Sequence, residues 1–312
     1  MQQRFVGTSG LRVSALALGT MGWGAETEPE TARGQLAAFV EAGGTTLDTA
    51  VSYGEGRSEA ILGSMIGDVV ARSEVVLVSK AGISHRRGRR MVDTSRRAML
   101  AGLDASLARL GTDHLDLWLV NIWDENVPLD ETLSALDLAV STGRARYAGV
   151  SNYNGWQLAR AATLSDTALV ANQVEYSLLH RAAEREIIPA AEHMGSGLLC
   201  WAPLGRGVLT GKYRGTMPAD SRGASASMAS YVEPYLSGHA TAVTESVATA
   251  AKGLGRKPLD VALSWLLAQH NVAGAVVGPR TEEQLAEILA ATLEPLPEQI
   301  SAVLDEISAP GR

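Results

Sequence analysis

Apolar and polar positions along the chain switch between two periods. Short β-type runs, bounded by glycine or polar turns, recur between longer stretches in which apolar residues return every three or four positions. The runs predict strands over 14–19, 45–48, 75–79, 114–120, 146–150, 168–173, 197–201 and 272–277. Helical spacing predicts helices over 28–42, 57–66, 94–110, 129–141, 155–162, 183–194 and 281–290, with Gly43-Gly44 ending the first and Thr94 as N-cap of the third. A hairpin through 7–10 precedes the first strand, and a final helix is expected over 296–307. Eight alternating strand–helix steps imply a parallel sheet, and hence an α/β (β/α)8 or TIM barrel. The seventh step is overlong. It holds a glycine-, serine- and alanine-rich stretch, 214–240, and then a helical segment, 243–254. An insertion after a strand's C-terminal end overhangs the active face of such a barrel, as lids do.

Composition narrows the class without changing the architecture. At 312 residues the length allows two domains, yet α/β barrels of this size form one, and a single domain over 1–312 is expected. The chain is 46% hydrophobic and 20% charged, ordinary for a folded protein. A net charge of −7 argues against nonspecific attraction to nucleic acid or an anionic membrane, and no apolar run approaches a membrane span. The start lacks the apolar core of a signal peptide, and the one cysteine, Cys200, excludes an intrachain disulfide and a cysteine metal cluster. A cytoplasmic setting is the expectation. Homo-oligomerisation leaves no readable mark.

Candidate chemistry gathers at predicted strand ends. Asp48 closes the second strand, Tyr53 follows it in Leu-Asp-Thr-Ala-Val-Ser-Tyr-Gly, and Lys80 closes the third. In a parallel barrel that edge is where catalytic groups collect. A free tyrosine, with a pKa of about 10, is a poor acid at neutral pH. A nearby ammonium is expected to pull that value down, with a carboxylate holding the ammonium in place. The loop 81–92 is polar and basic, with Arg86, Arg87, Arg89 and Arg90, and reads as a solvated loop rather than an anion site. No paired histidines or His-Glu-x-x-His run suggests a metal. The glycines of Gly19-Thr20-Met21-Gly22-Trp23-Gly24 have the wrong spacing for a dinucleotide fingerprint, and those of 205–213 are wrong for a phosphate loop.

A resemblance becomes specific when the motifs are read in order: Gly-Thr-Met-Gly; Leu-Asp-Thr-Ala with Tyr-Gly; Val-Ser-Lys; Gly149-Val-Ser-Asn-Tyr; Asn172-Gln-Val-Glu-Tyr; and Trp201-Ala-Pro-Leu-Gly. In that order, over about 5–291, the chain resembles the aldo-keto reductase superfamily, and in particular its potassium-channel β-subunit-like branch. The resemblance implies that Asp48, Tyr53 and Lys80 are catalytic, with Tyr53 protonating a carbonyl oxygen as a nicotinamide delivers hydride to carbon. It implies NADP(H) as cofactor. Ser151, Asn152 and Gln173 would hold the carboxamide, Trp201 would stack on the nicotinamide, and Thr20, Met21 and Pro203 would lie against the cofactor. Leu204, Gly205 and Lys212 would cover the pyrophosphate, with Gly278, Arg280, Gln284, Glu287 and Arg222 at the adenosine end. Arg280, at the opening of the last barrel helix, suits a 2′-phosphate, since a helix N-terminus and a guanidinium both favour an anion.

Two departures stand out. The family's usual histidine after strand four is replaced by Asn121, as in the channel-subunit branch. An amide still donates a hydrogen bond but does not titrate near neutral pH. Ile288 stands where an adenine-contacting asparagine is common. Of the six histidines only His85 and His180 fall in loops at the active face, and both read as rim residues. Cys200 reads as an inert packing thiol. Met21, Trp23, Trp123 and Tyr153, with Tyr53, are expected to wall an apolar substrate pocket. The expected function is NADPH-dependent reduction of an aldehyde or ketone, a small-molecule carbonyl substrate, without metal. The alternatives are an NADP(H)-binding sensor or regulatory subunit with little turnover, and an unrelated barrel lyase or isomerase.

Overall fold

The computed structural model describes residues 1–86, 89–219, 221–225, 228–236 and 238–310. Its centre is a closed barrel of eight parallel strands: β3 (Leu16–Gly19), β4 (Thr46–Asp48), β5 (Val76–Ala81), β8 (Leu115–Val120), β9 (Ala145–Ser151), β10 (Leu169–Glu175), β11 (Gly197–Trp201) and β12 (Val272–Val277). Each strand pairs with the next in chain order, and β12 closes on β3 with Val277 opposite Leu18. The expected (β/α)8 barrel is the fold.

The helices α1 (Pro29–Glu41), α2 (Arg57–Gly63), α3 (Arg96–Leu110), α4 (Leu129–Ser141), α5 (Gly155–Leu164) and α6 (Ala183–Met194) connect the first seven strands. The ends of these helices follow local chemistry. Asn154 and Gln157 form a reciprocal capping box on α5, and Gly111 (φ +64°) and Gly195 (φ +73°) end α3 and α6 in the left-handed region. The N-cap of α3 is Ser95, whose Oγ accepts from Ala98 N, rather than Thr94. Thr94 is buried and bonded to Thr132 on α4 instead, so it joins two helices.

The strands' inner faces pack a core of their own. Val78, Leu117, Leu119, Ala171, Leu199 and Ala273 meet Val6, Leu11 and Val13. Those last three come from the predicted N-terminal hairpin, β1 (Gln3–Phe5) and β2 (Arg12–Ser14). The inside of the barrel is therefore filled and closed by the hairpin, which leaves the opposite, C-terminal mouth for a ligand.

Three departures from the sequence pattern bear on that mouth. The segment 81–92 is not a plain loop but an antiparallel hairpin, β6 (Ile83–Arg86) and β7 (Arg89–Val92). Arg87 and the side chain of Arg86 lie outside the described residues. The seventh step holds α7 (Ala229–Val232) and α8 (His239–Leu254), and a helix the pattern did not announce, α9 (Pro258–Ala268). Residues Leu259 to Leu267 of α9 are all buried, so the helix has no polar stripe to show its period. α10 (Glu282–Leu289) follows β12, and α11 (Glu298–Ile307) packs outside the repeat against α8. No helix among the described residues is long and apolar enough to cross a membrane.

Candidate active site

At the C-terminal mouth lies a cavity of about 730 Å³, lined by residues from the ends of the barrel strands, the β6–β7 hairpin, the insertion and α10. That volume falls within the range typical of small-molecule and cofactor sites, roughly 300–1,000 Å³. Six cationic side chains line it (Lys80, Arg90, Arg206, Lys212, Arg222 and Arg280) against two carboxylates, Asp48 and Glu287. In a chain of net charge −7 this is a local reversal of sign, and a cation-lined cleft concentrates anionic ligands.

Neighbouring strands place Asp48 and Lys80 together. With Asp48 opposite Val78 across the β4–β5 pair, Lys80 Nζ reaches both carboxylate oxygens at 2.7 Å and Thr49 O at 2.9 Å. Both side chains are almost fully buried, at 2% and 1% exposure, so the pair survives only because the ammonium's three protons and the carboxylate are matched. Gln173 Nε2, from β10 across the barrel, adds a 2.6 Å bond to Asp48 Oδ2. Burial lowers the Lys80 pKa from its usual value, and Asp48 counteracts that. Tyr53 begins the turn after β4, with Lys80 Nζ 5.3 Å from its ring centroid. The expected downward shift of its phenol is not found. Burial, then the charge of Asp48, then Tyr231 hold the Tyr53 pKa well above 10. The Asp48 carboxylate largely answers the Lys80 charge, so the phenol stays protonated.

Asn121 follows β8 and lines the same end of the cavity. Its backbone carbonyl accepts from Asn152 Nδ2 at 2.9 Å, while its side-chain amide makes no hydrogen bond among the described residues. Beyond it the bonds form a chain. Asn152 Nδ2 also donates to Ser151 Oγ, Ser151 Oγ donates to Gln173 O, and Trp201 Nε1 donates to Asn152 Oδ1 at 3.0 Å. Both protons of the Asn152 amide are thereby used, whereas Gln173 keeps one amide proton and its carbonyl oxygen for a ligand. Asn152, Ala202 and Arg206 line the cavity with φ of +51° to +58°, a backbone conformation that costs a non-glycine residue on the order of 1–3 kcal/mol. Such strain is kept where the surrounding bonds over-determine it.

The far end is assembled differently. Lys212 follows the tight turn of Gly205–Thr210, in which Gly207 has φ +94°, and a Cβ on Gly207 would crowd Lys212 Cε and Nζ at 3.2 Å. Thr281 caps α10, and Gln284 Oε1 folds back to accept from Arg280 N at 2.9 Å. Arg222, in the insertion, donates to Gly278 O at 3.1 Å and pairs with Glu26 at 3.3 Å, so it ties the insertion to loops after β3 and β12. Glu287 pairs with Lys257, and Ile288 lines the wall at 7% exposure.

Most of the residues singled out from sequence come together here, and several do not. Met21, Pro203, Leu204 and Gly278 line the cavity. Thr20 lies beneath it, its hydroxyl donating to Asp48 O and accepting from Ser58, and Gly205 is the turn behind the wall. The aromatic substrate wall needs correction. Trp23 is buried with Nε1 donating to Gln35 Oε1 at 2.8 Å, and Tyr153 is buried edge-on to Trp123, which also meets Trp156. None of Trp23, Trp123 and Tyr153 is among the lining residues. Large rings after these strands complete the packing around the barrel, and the indole N–H of Trp23 finds its partner there.

Arg206, Tyr231 and Arg90 are among the lining residues that were not expected. Arg206 is clamped by Glu175 through Nε and Nη2, at 3.0 and 2.8 Å, with its guanidinium 3.9 Å from the Tyr231 ring centroid. Tyr231 reaches the cavity from the low-complexity insertion, which carries no periodic signal. Arg90 comes from the hairpin that had read as a solvated loop. Cys200 is buried, and burial raises its pKa, which fits an inert thiol.

Comparison with known proteins agrees with this geometry. Residues 15–309 match the model of the aldo/keto reductase family. The uncharacterized oxidoreductase YrpG of Bacillus subtilis (strain 168) is 34% identical, with 98% of this chain and 96% of that protein covered. A probable voltage-gated potassium channel subunit beta of Oryza sativa subsp. japonica is 32% identical over 99% of this chain and 96% of its own. The crystal structure of the thermostable aldo-keto reductase Tm1743, in complex with the inhibitor epalrestat, superposes with a TM-score of 0.79 at 30% identity, covering 98% of this chain and 100% of that one. With the family's barrel, and a polar cluster at its C-terminal mouth, this chain belongs to the aldo/keto reductase family of oxidoreductases.

Proposed function

We propose that the protein is an NADP(H)-dependent reductase of aldehydes or ketones, with Tyr53 as general acid and Asn121 in the place usually held by histidine. The observation that carries this reading is the grouping of Asp48, Lys80, Tyr53 and the uncommitted Asn121 amide at one end of a cavity whose other end is cationic. The cavity fits a dinucleotide. Trp201 offers a ring face fixed by its bond to Asn152, Gln173 keeps a donor and an acceptor for a carboxamide, and Lys212, Arg222 and Arg280 supply charge for phosphates. Arg280 beside the N-terminus of α10 favours the 2′-phosphate, and thus NADPH over NADH.

When bound, the nicotinamide supplies the hydride. The chain's own part is the proton. Tyr53 would give its proton to the carbonyl oxygen as negative charge develops there, and the Asn121 amide would donate to the same oxygen. The resulting phenolate would feel the charge of the Lys80 ammonium, whose Nζ is 5.3 Å from the Tyr53 ring centroid and is held in place by Asp48 and Thr49 O. A phenol held well above pKa 10 is almost wholly protonated at neutral pH, so it is populated as an acid and scarce as a base. Tyr53→Phe is expected to keep NADPH binding, read by fluorescence titration, and to lower turnover by about 10²–10⁴-fold. Unchanged turnover with any accepted carbonyl would sink the mechanism.

A second reading, an NADP(H)-binding sensor or regulatory subunit with little turnover, is favoured by Asn121 and by the name of the rice relative. Rapid mixing of the NADPH complex with a panel of carbonyls separates the two. Absence of hydride transfer to every reactive aldehyde decides for the sensor.

A further inference from the structure

The cations of the cavity divide by position. In the closed barrel β5 is the fourth strand from β11 in either direction, so the hairpin that leaves β5 stands diametrically across the mouth from the insertion. Arg206, Lys212, Arg222 and Arg280 belong to the β11–β12 side, while Lys80 and Arg90 come from the β5 side. A dinucleotide laid along Trp201 toward Arg280 places its phosphates away from Arg90. The other basic side chain at the reacting end, Lys80, is committed to Asp48.

Arg90 also differs from the paired arginines of the cavity. Arg206 and Arg222 each pair with a carboxylate, whereas Arg90, on the exposed strand β7, makes no ion pair or hydrogen bond among the described residues. The hairpin register sets its direction. His85 lies opposite Arg90 and shares its face, and Arg89 falls on the other. The face bearing Arg90 is the one that meets the cavity.

We propose that Arg90 forms a subsite for an anionic substituent, carboxylate or phosphate, on the substrate whose carbonyl is reduced at Tyr53. This rests on the reductase reading and narrows its substrate class. A guanidinium at the rim of the cavity presents a bidentate fork to either group. It thereby turns the carbonyl toward Tyr53 and Asn121 from the side opposite the cofactor.

The test uses NADPH-loaded protein and aldehyde pairs that differ in charge: butanal against succinic semialdehyde for a carboxylate, and glyceraldehyde against glyceraldehyde 3-phosphate for a phosphate. Wild type is expected to favour the anionic member of at least one pair by tenfold or more in kcat/KM, and the pair that shows it identifies the group. Arg90→Met should lower that ratio at least tenfold, mainly through KM, and Arg90→Lys should restore part of it. Arg89→Met, one residue away on the other face, should leave the ratio unchanged. Equal ratios in wild type and Arg90→Met overturn the subsite while leaving the reductase intact. If no aldehyde is reduced, the reductase reading fails and the subsite is read by binding. Titration of the loaded protein with succinate and with inorganic phosphate, followed by tryptophan fluorescence, supports it if saturable binding is lost in Arg90→Met. It overturns it if binding is absent or unaffected.

Discussion

The two ends of the cavity are built on opposite principles. At the reacting end, Asp48, Lys80 and Gln173 come from three strands of the closed sheet, are at most 2% exposed and are bonded to one another at 2.6–2.7 Å. At the far end, Lys212 and Arg222 ride on a stretch of the insertion with little regular structure, and Arg222 is tied to the loops above the barrel by one partly exposed ion pair and one bond to a carbonyl. Proton transfer needs groups held within tenths of an ångström, and a closed sheet holds them there. A cofactor that must enter and leave needs a wall that opens at low cost, and loops provide it. The position of a residue relative to the sheet therefore predicts which property its loss will damage.

The largest effect is expected from Lys80→Met. It removes the phenolate's cation and leaves the buried Asp48 carboxylate with Gln173 as its remaining side-chain partner. Stripping one partner from a buried pair costs about 3–5 kcal/mol. Urea denaturation should show that loss, and single-turnover mixing should show reduction slowed by three orders of magnitude or more, about 4 kcal/mol of barrier. If stability is unchanged, the pair is not the rigid anchor that distinguishes the two ends.

The same division explains what could be read from sequence. Strands 197–201 and 272–277 and helices 129–141 and 183–194 were legible to the residue, because each is bounded by turn chemistry and its pattern fits one period. The Asp48–Lys80 pair was legible because both residues end apolar runs on consecutive strands. The Gln173–Asp48 bond spans 125 residues, and only barrel closure brings its ends together. The hairpin within 81–92 is built mainly of polar, exposed residues with no apolar alternation, and α9 is buried all round, so neither gave a periodic signal. The tyrosine shift was misjudged for a physical reason. The carboxylate was weighed only as the ammonium's anchor and not as an opposing charge on the phenol, and the burial that comes first was left out.

An intermediate effect should appear at Asn121, which belongs to the reacting end yet is uncommitted there. Tyr53 stays protonated well beyond pH 10 and an amide does not titrate, so neither group gives reduction a limb between about pH 6 and 9. The single-turnover rate should be flat across that window. Asn121→His should add an inflection near about pH 6.5 and raise the rate by up to about 10²-fold if the amide is merely a weaker donor. Abolished activity would show instead that Asn121 is adapted to its own substrate. A neutral-pH inflection in wild type would point to His85 or another group at the site.

The smallest effect on chemistry, and the clearest test of the far end, is expected from the Glu26–Arg222 tie. With side chains 18% and 15% exposed, the pair should contribute no more than about 1 kcal/mol to stability. Its loss lets the insertion part from the loop after β3 without touching Asp48, Lys80 or Tyr53. Glu26→Gln keeps the shape and removes the charge, and it leaves Arg222 in place for a phosphate. Stopped-flow displacement of bound NADPH should then show dissociation faster by several-fold, while the single-turnover rate of the preformed complex stays within a factor of two. A slowed chemical step with unchanged dissociation would mean that the insertion sets the geometry of the reacting end. The barrel strands and the loops above them would then have to be treated as one device.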